Sequence, residues 1–178
     1  AEHAVIAVTT GILKILDRSE LEGVIAHELS HIGNRDMLVA TIAVVLVGFV
    51  SIASYIFMRT AHHGGNNRKG GGILIVVAII LAILAPIFAN MLKLAVSRRR
   101  EFLADASGAL LTRYPEGLAS ALRKIGTYSE PMKHANHATA HIFLSSPFGS
   151  HKDKSSFFVK LFSTHPPISE RVQALLER

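Results

Sequence analysis

The sequence predicts a mostly α-helical domain with a small β-sheet (an α+β fold), interrupted by a hairpin of two helices long enough to cross a bilayer. Three observations predict it. A capped amphipathic helical pattern runs through residues 19–32, two uncharged apolar runs fill the middle of the chain, and amphipathic helices resume after residue 97. One segment near the start, rich in Val, Ile and Thr, supplies the sheet.

That segment, residues 4–10 (AVIAVTT), is expected to form an edge strand. A short helical stretch follows Gly11 and ends by Asp17. Ser19 stands three residues before Glu22, the spacing of a capping box, and opens a helix carrying Leu21, Val24, Ile25, Leu29 and Ile32 on its apolar positions. Gly33 and Asn34 end it. Residues 37–58 (MLVATIAVVLVGFVSIASYIFM) contain no charge and exceed the roughly 20 residues that a helix needs to span about 30 Å of hydrocarbon. Residues 73–92 (ILIVVAIILAILAPIFANML) are a second such run, with Pro86 as an expected kink. The Gly-rich linker 59–72 (RTAHHGGNNRKGGG) is expected to be a polar loop in which His62 and His63 are solvated. Beyond the runs, residues 97–114, 115–128 and 168–176 read as amphipathic helices, and residues 130–156 as a polar, His-rich loop.

Hydrophobic residues make up 49% of the 178-residue chain and charged ones 18%, against about 25% charged in an ordinary soluble domain. The deficit is concentrated in the two apolar runs, which favours a membrane protein over an unusually apolar soluble one. The net charge of +6 does not point to nucleic acid, because no basic stripe interleaved with aromatic residues accompanies it and Trp is absent. Arg98, Arg99 and Arg100 instead follow an apolar run, where basic residues meet anionic headgroups. Both hairpin ends lie on one side. Arg35, Lys93, Arg98, Arg99 and Arg100 flank them, against Arg59, Arg68 and Lys69 in the linker, so the excess of basic residues places the catalytic side in the cytoplasm. With no cysteine, any metal must be held by His and carboxylate.

His27-Glu28-Leu29-Ser30-His31 matches H-E-x-x-H. Residues four apart lie one turn above each other on one helix face, so the two imidazoles can converge on a zinc ion at about 2.0–2.1 Å. Glu28, one residue along, flanks that position and can take a proton from water there. A catalytic zinc usually has three protein ligands, and residues 32–37 lack the downstream Gly and His of the metzincin pattern. The third ligand must come from elsewhere. Glu101, which opens Glu-Phe-Leu-Ala-Asp on a helix after the hairpin, is the choice, and Asp105 is placed on the same face to accept a hydrogen bond from a ligating His.

HELSH, a hydrophobic hairpin, SRRREFLADASG and STHPPISERVQAL together resemble the HtpX-type membrane metalloproteases, in the family that also contains the CAAX prenyl proteases. The resemblance runs from AVIAVTTGIL to the last helix. It implies a gluzincin-like metalloprotease domain, one Zn²⁺ per chain, and multi-pass residence in a bacterial inner membrane. It also implies polypeptide substrates, namely damaged or misfolded membrane proteins. The family's E-x-x-x-D pattern maps its zinc-binding Glu onto Glu101 and its Asp onto Asp105. Such proteins carry two further hydrophobic segments upstream, and the chain, opening at Ala1, is expected to be a fragment.

The resulting organisation assigns residues 1–36 to a catalytic domain with the strand and the H-E-x-x-H helix. Residues 37–96 form the transmembrane hairpin, and residues 97–178 carry the third ligand and the C-terminal helices. Peptide substrates would add to the edge strand. His165 is a candidate donor to the developing oxyanion, or else a His-Pro-Pro turn that only introduces the last helix. Arg171 reads as a surface residue, although it could pair with an active-site carboxylate. Asp36 reads as the cap of the next helix rather than a residue orienting a ligand, and His134, His137 and His141 as a solvated loop rather than a second metal cluster. Two other functions compete with the protease: a catalytically inactive membrane adaptor that keeps the fold, and a soluble zinc hydrolase acting on something other than peptides.

Overall fold

The computed structural model describes residues 3–63, 72–127 and 165–177. Among these residues the chain forms six helices: α1 (Thr10–Ile15), α2 (Arg18–Gly33), α3 (Asp36–His63), α4 (Gly72–Thr112), α5 (Pro115–Thr127) and α6 (Ile168–Leu176). Two compact units emerge, Ala1–Asp36 with Ser97–Arg178, and Met37–Val96.

The expected sheet is not there: no strand occurs among the described residues. Residues 4–9 belong to no helix or strand, and Val5 is 88% exposed. A β-rich composition makes a strand only when a neighbour accepts its backbone groups and covers a face. Here the backbone leaves the extended conformation early, because the Thr9 hydroxyl accepts the Ile12 N–H at 3.3 Å and starts α1 at Thr10. Among the described residues there is therefore no sheet edge to which a peptide could add.

Helix α2 starts two residues before the position expected. Asp17, not Ser19, is its N-cap: its carboxylate accepts the Glu20 N–H at 2.9 Å, and Glu20 Oε2 accepts the Asp17 N–H at 2.9 Å. A carboxylate at the positive end of the helix outcompetes a hydroxyl, and the Ser19 hydroxyl donates to Asp17 Oδ1 instead.

The core of the first unit is α5. Leu118, Ala121, Leu122 and Ile125 repeat at the spacing of one helix face, and they pack with Val24 of α2, Val172 and Leu175 of α6, and Leu16. Two glycines permit the close approaches. A Cβ on Gly23 would lie 2.8 Å from the Leu118 backbone nitrogen, so the close approach of α2 to α5 at that point requires a residue without a side chain. A Cβ on Gly108 would lie 3.0 Å from the His27 backbone nitrogen, so α4 runs directly against α2 beside that imidazole.

Residues Asp36–Thr60 and Ile75–Thr112, whose middle portions make up the second unit, mark helices long and apolar enough to cross a membrane. Many of their apolar side chains are exposed, Phe49 and Leu92 among them. The hydroxyls of Thr41 and Ser51 donate to the carbonyls of Met37 and Val47, both at 2.8 Å. The Asn90 amide donates to the Pro86 carbonyl at 2.9 Å. Polar side chains satisfied within their own helix are compatible with a hydrocarbon surround. Helix α4 continues through Pro86, and α3 extends to His63 into the stretch expected to be loop. The rest of that linker, the 130–156 loop, and His134, His137 and His141 lie outside the described residues.

Glu20 links α2 to α5 beneath the core. Its carboxylate accepts hydrogen bonds from the Ser120 hydroxyl at 2.6 Å and the Lys124 ammonium at 2.7 Å. Burial works to raise its pKa, but Lys124, Ser120 and the Asp17 N–H outweigh burial and hold it below 4.5. A carboxyl whose pKa is depressed by folding contributes stability above its unfolded pKa, and that contribution disappears as pH falls through the folded value. Thermal unfolding of the wild type is therefore expected to lose stability on acidification below about pH 4.5. Glu20→Gln should be less stable at neutral pH and show a shallower acid dependence.

Candidate metal centre

The centre is built by α2 and the C-terminal part of α4. His27 and His31 lie one turn apart on α2, and their rings meet edge to face with centroids 4.6 Å apart. Glu101 projects from α4, and one donor atom from each of the three residues falls within 4.8 Å of the others. The two Nε2 atoms are 3.1 Å apart. Glu101 lies 3.8 Å from His27 Nε2 through one oxygen and 3.8 Å from His31 Nε2 through the other. The structure thus brings together His27, His31 and Glu101, the residues expected from the sequence.

These residues fit a divalent metal for a reason of proton placement. His27 Nδ1 is 2.9 Å from Asp105 Oδ1, and His31 Nδ1 is 2.6 Å from Asp36 Oδ2. A neutral imidazole whose Nδ1–H faces a carboxylate presents the lone pair of Nε2. Two lone pairs then face each other 3.1 Å apart beside an anionic carboxylate, an arrangement that a cation between them resolves. Tetrahedral zinc with bonds of about 2.0–2.1 Å needs donors roughly 3.3 Å apart. The observed separations of 3.1 and 3.8 Å lie on either side of that value.

Asp105, one turn beyond Glu101 on α4, lies behind His27, with Oδ1 at 2.9 Å from Nδ1. Glu28 is half-buried on α2 next to His27. His165 is drawn to the centre, with Nδ1 at 3.3 Å from Glu101 Oε1.

Arg171 is the residue that sequence reasoning misplaced. It is 1% exposed, not a surface group. Its guanidinium donates to both oxygens of Asp105 at 2.7 and 2.8 Å and approaches Glu101 Oε2 at 3.2 Å. Burial alone would favour loss of its proton. The hydrogen bonds to Asp105, with the charges of Asp105, Glu101 and Glu28, overcome that and push its pKa above the ordinary guanidinium value. A signal was present in the sequence: Ile168, Arg171, Val172 and Leu175 occupy one face of α6, which puts the arginine on the buried side.

Asp36 and Arg100 were likewise read for other roles. Asp36 faces His31 rather than only opening α3, and Arg100 pairs with Asp36 and donates to the Asn34 carbonyl. A cavity of about 530 Å³ opens beside Asp105, lined also by Phe102, Ala109 and Leu175. Its lining does not include Glu28 or the three donors, so it is separate from the metal position.

Residues 2–178 match the family described as Peptidase family M48. The chain is 47% identical over 181 residues to a protein named "Protease HtpX homolog" from Caldanaerobacter subterraneus subsp. tengcongensis, covering 98% of this chain and 58% of that protein. A protein of the same name from Dictyoglomus turgidum is 50% identical over 175 residues, covering 98% of this chain and 56% of the relative. One from Pyrococcus furiosus is 48% identical over 177 residues, covering 98% and 59%. The chain thus spans little more than half the length of the relatives it matches. No solved structure matches it.

Removing the buried guanidinium leaves Asp105 and Glu101 uncompensated. Arg171→Met is expected to destabilise the protein by about 3–5 kcal/mol, read from denaturant or thermal unfolding of the metal-free form. Arg171→Lys should recover only part of this, because an ammonium cannot reproduce the bidentate contact. A loss below about 1 kcal/mol, as for an exposed pair, would contradict the assigned role.

Proposed function

The chain belongs to peptidase family M48, and on that premise we propose that it is the catalytic and membrane-anchoring part of a zinc-dependent endopeptidase. The observation that carries the reading is the convergence of His27, His31 and Glu101 within 4.8 Å, each imidazole backed by a carboxylate. In this reading residues 1–36 and 97–178 form the catalytic domain, and residues 37–96 cross the membrane twice. The excess of basic residues at 35, 93 and 98–100 over those in the linker supports a cytoplasmic catalytic side. The relatives' names support a protease of the HtpX type; residence in a bacterial inner membrane and action on damaged or misfolded membrane polypeptides are what the resemblance of its motifs implies.

A zinc ion held by His27, His31 and Glu101 would supply Lewis-acid polarisation of the scissile carbonyl and would acidify water at its open position. The protein's own residues do the rest. Asp105 and Asp36 keep both imidazoles in the tautomer that presents Nε2. Glu28 takes the proton of the attacking water and passes it to the leaving amine. His165, beside Glu101 and a third exposed, would donate a hydrogen bond to the oxygen that gains charge as the carbonyl becomes tetrahedral. Arg171 holds Asp105 and Glu101 in place and offsets their charge.

The test compares wild type with Glu28→Gln, purified in detergent, by counting bound zinc and following casein digestion. Both proteins are expected to bind one zinc per chain, and the variant to lose at least about a hundredfold in rate. Equal digestion by both would remove Glu28 as the general base. An adaptor without catalysis would show no digestion in the wild type.

A further inference from the structure

The two imidazoles of the centre are held from behind in different ways. Asp105 reaches His27 from α4, a helix far away in sequence. Asp36 reaches His31 from only five residues along the chain, with Oδ2 at 2.6 Å from Nδ1. In an unbroken helix, residues five apart point about 140° away from each other and could not meet. The turn between α2 and α3 makes the contact possible. Helix α2 ends with the N–H of Asn34 bonded to the Ser30 carbonyl at 2.8 Å, and Arg35 then adopts a left-handed conformation with φ of 56°. That positive-φ residue redirects the backbone between the two helices, and Asp36 meets His31. For an arginine the conformation is strained, and such strain persists where surrounding contacts over-determine it.

Those contacts come from Arg100. It pairs with Asp36 Oδ1 and donates to the carbonyl of Asn34, so one side chain of α4 ties down both ends of the turn. Both oxygens of Asp36 are engaged away from the helix it begins, one by His31 and one by Arg100. Its side chain is 12% exposed. A residue serving only to begin α3 would need neither partner. The result parallels the other half of the centre, where Arg171 grips Asp105 behind His27.

We propose that Asp36, gripped by Arg100, is the positioning residue of His31, so that the two-residue turn from which α3 departs sets the affinity of the centre for its metal. The inference rests on the zinc-peptidase reading. It adds that the affinity depends on the geometry at the root of the first apolar helix.

Zinc dissociation constants, measured in detergent by competition with a chromogenic chelator, test this for wild type, Asp36→Asn and Arg100→Gln, alongside the melting temperature of each metal-free protein. Asp36→Asn should weaken zinc binding by about 10–100-fold, with metal-free melting close to wild type. Arg100→Gln should act in the same direction and by less. Zinc affinity within about twofold of wild type in Asp36→Asn would overturn the proposal, even with lowered melting, because a residue that only begins α3 moves stability and not affinity. If Asp36→Asn does not fold, Arg100→Gln decides, and unchanged affinity there overturns the proposal. A wild type that binds no zinc would sink the peptidase reading itself, a result distinct from either outcome.

Discussion

Three potential metal donors converge on one point: Nε2 of His27, Nε2 of His31 and the carboxylate of Glu101. Such a cluster is unfavourable unless a cation fills it, and much of the first unit can be read as the means of holding it together. Asp105 and Asp36 take the far nitrogens. Arg171 and Arg100 grip those carboxylates, so each imidazole is backed by an acid and each of those acids by a base. The apolar core does the supporting work: α5 packs between α2 and α6, which puts the buried Arg171 under the centre, while Gly108 lets α4 run against the backbone of His27. Buried charge arranged this way is weak evidence for stability as such, since well-packed apolar residues of the same size often do as well. Its value here lies in orientation.

Much of this was legible in the sequence, and the parts that were not share a cause. H-E-x-x-H and E-x-x-x-D are local patterns, fixed by helical periodicity, and the helices that carry them formed close to the expected places. The terminal helix was found with its bounds, yet Arg171 was read as a surface group because charge was weighed above its place on the apolar face. Asp36 was assigned to a cap because five-residue spacing gives no helical neighbour, and only a left-handed Arg35 makes it one. The cap of α2 shifted from Ser19 to Asp17 because Asp17 and Glu20 form the same reciprocal spacing two residues earlier, and the Ser19 hydroxyl is taken up by Asp17. The strand failed differently. Val, Ile and Thr describe a surface ready to pair, and pairing depends on a partner that lies elsewhere in the chain. None is found among the described residues.

The second unit obeys a different solvent rule. Many of its side chains are apolar and exposed, and its few hydroxyl and amide groups turn back onto their own helices, which suits lipid better than water. Arg100 shows how closely the two regimes meet in sequence. It closes a run of three arginines just after the apolar stretch, where headgroup contact was expected, yet it turns to Asp36 and the Asn34 carbonyl.

The central claim concerns which atoms surround the metal, and the zinc K-edge X-ray absorption spectrum of the loaded protein addresses it most directly. The account predicts a shell of four nitrogen and oxygen atoms near about 2.0–2.1 Å, with the multiple-scattering pattern of two imidazoles. A shell with one imidazole or none, or a six-oxygen shell of weakly held surface zinc, would contradict it.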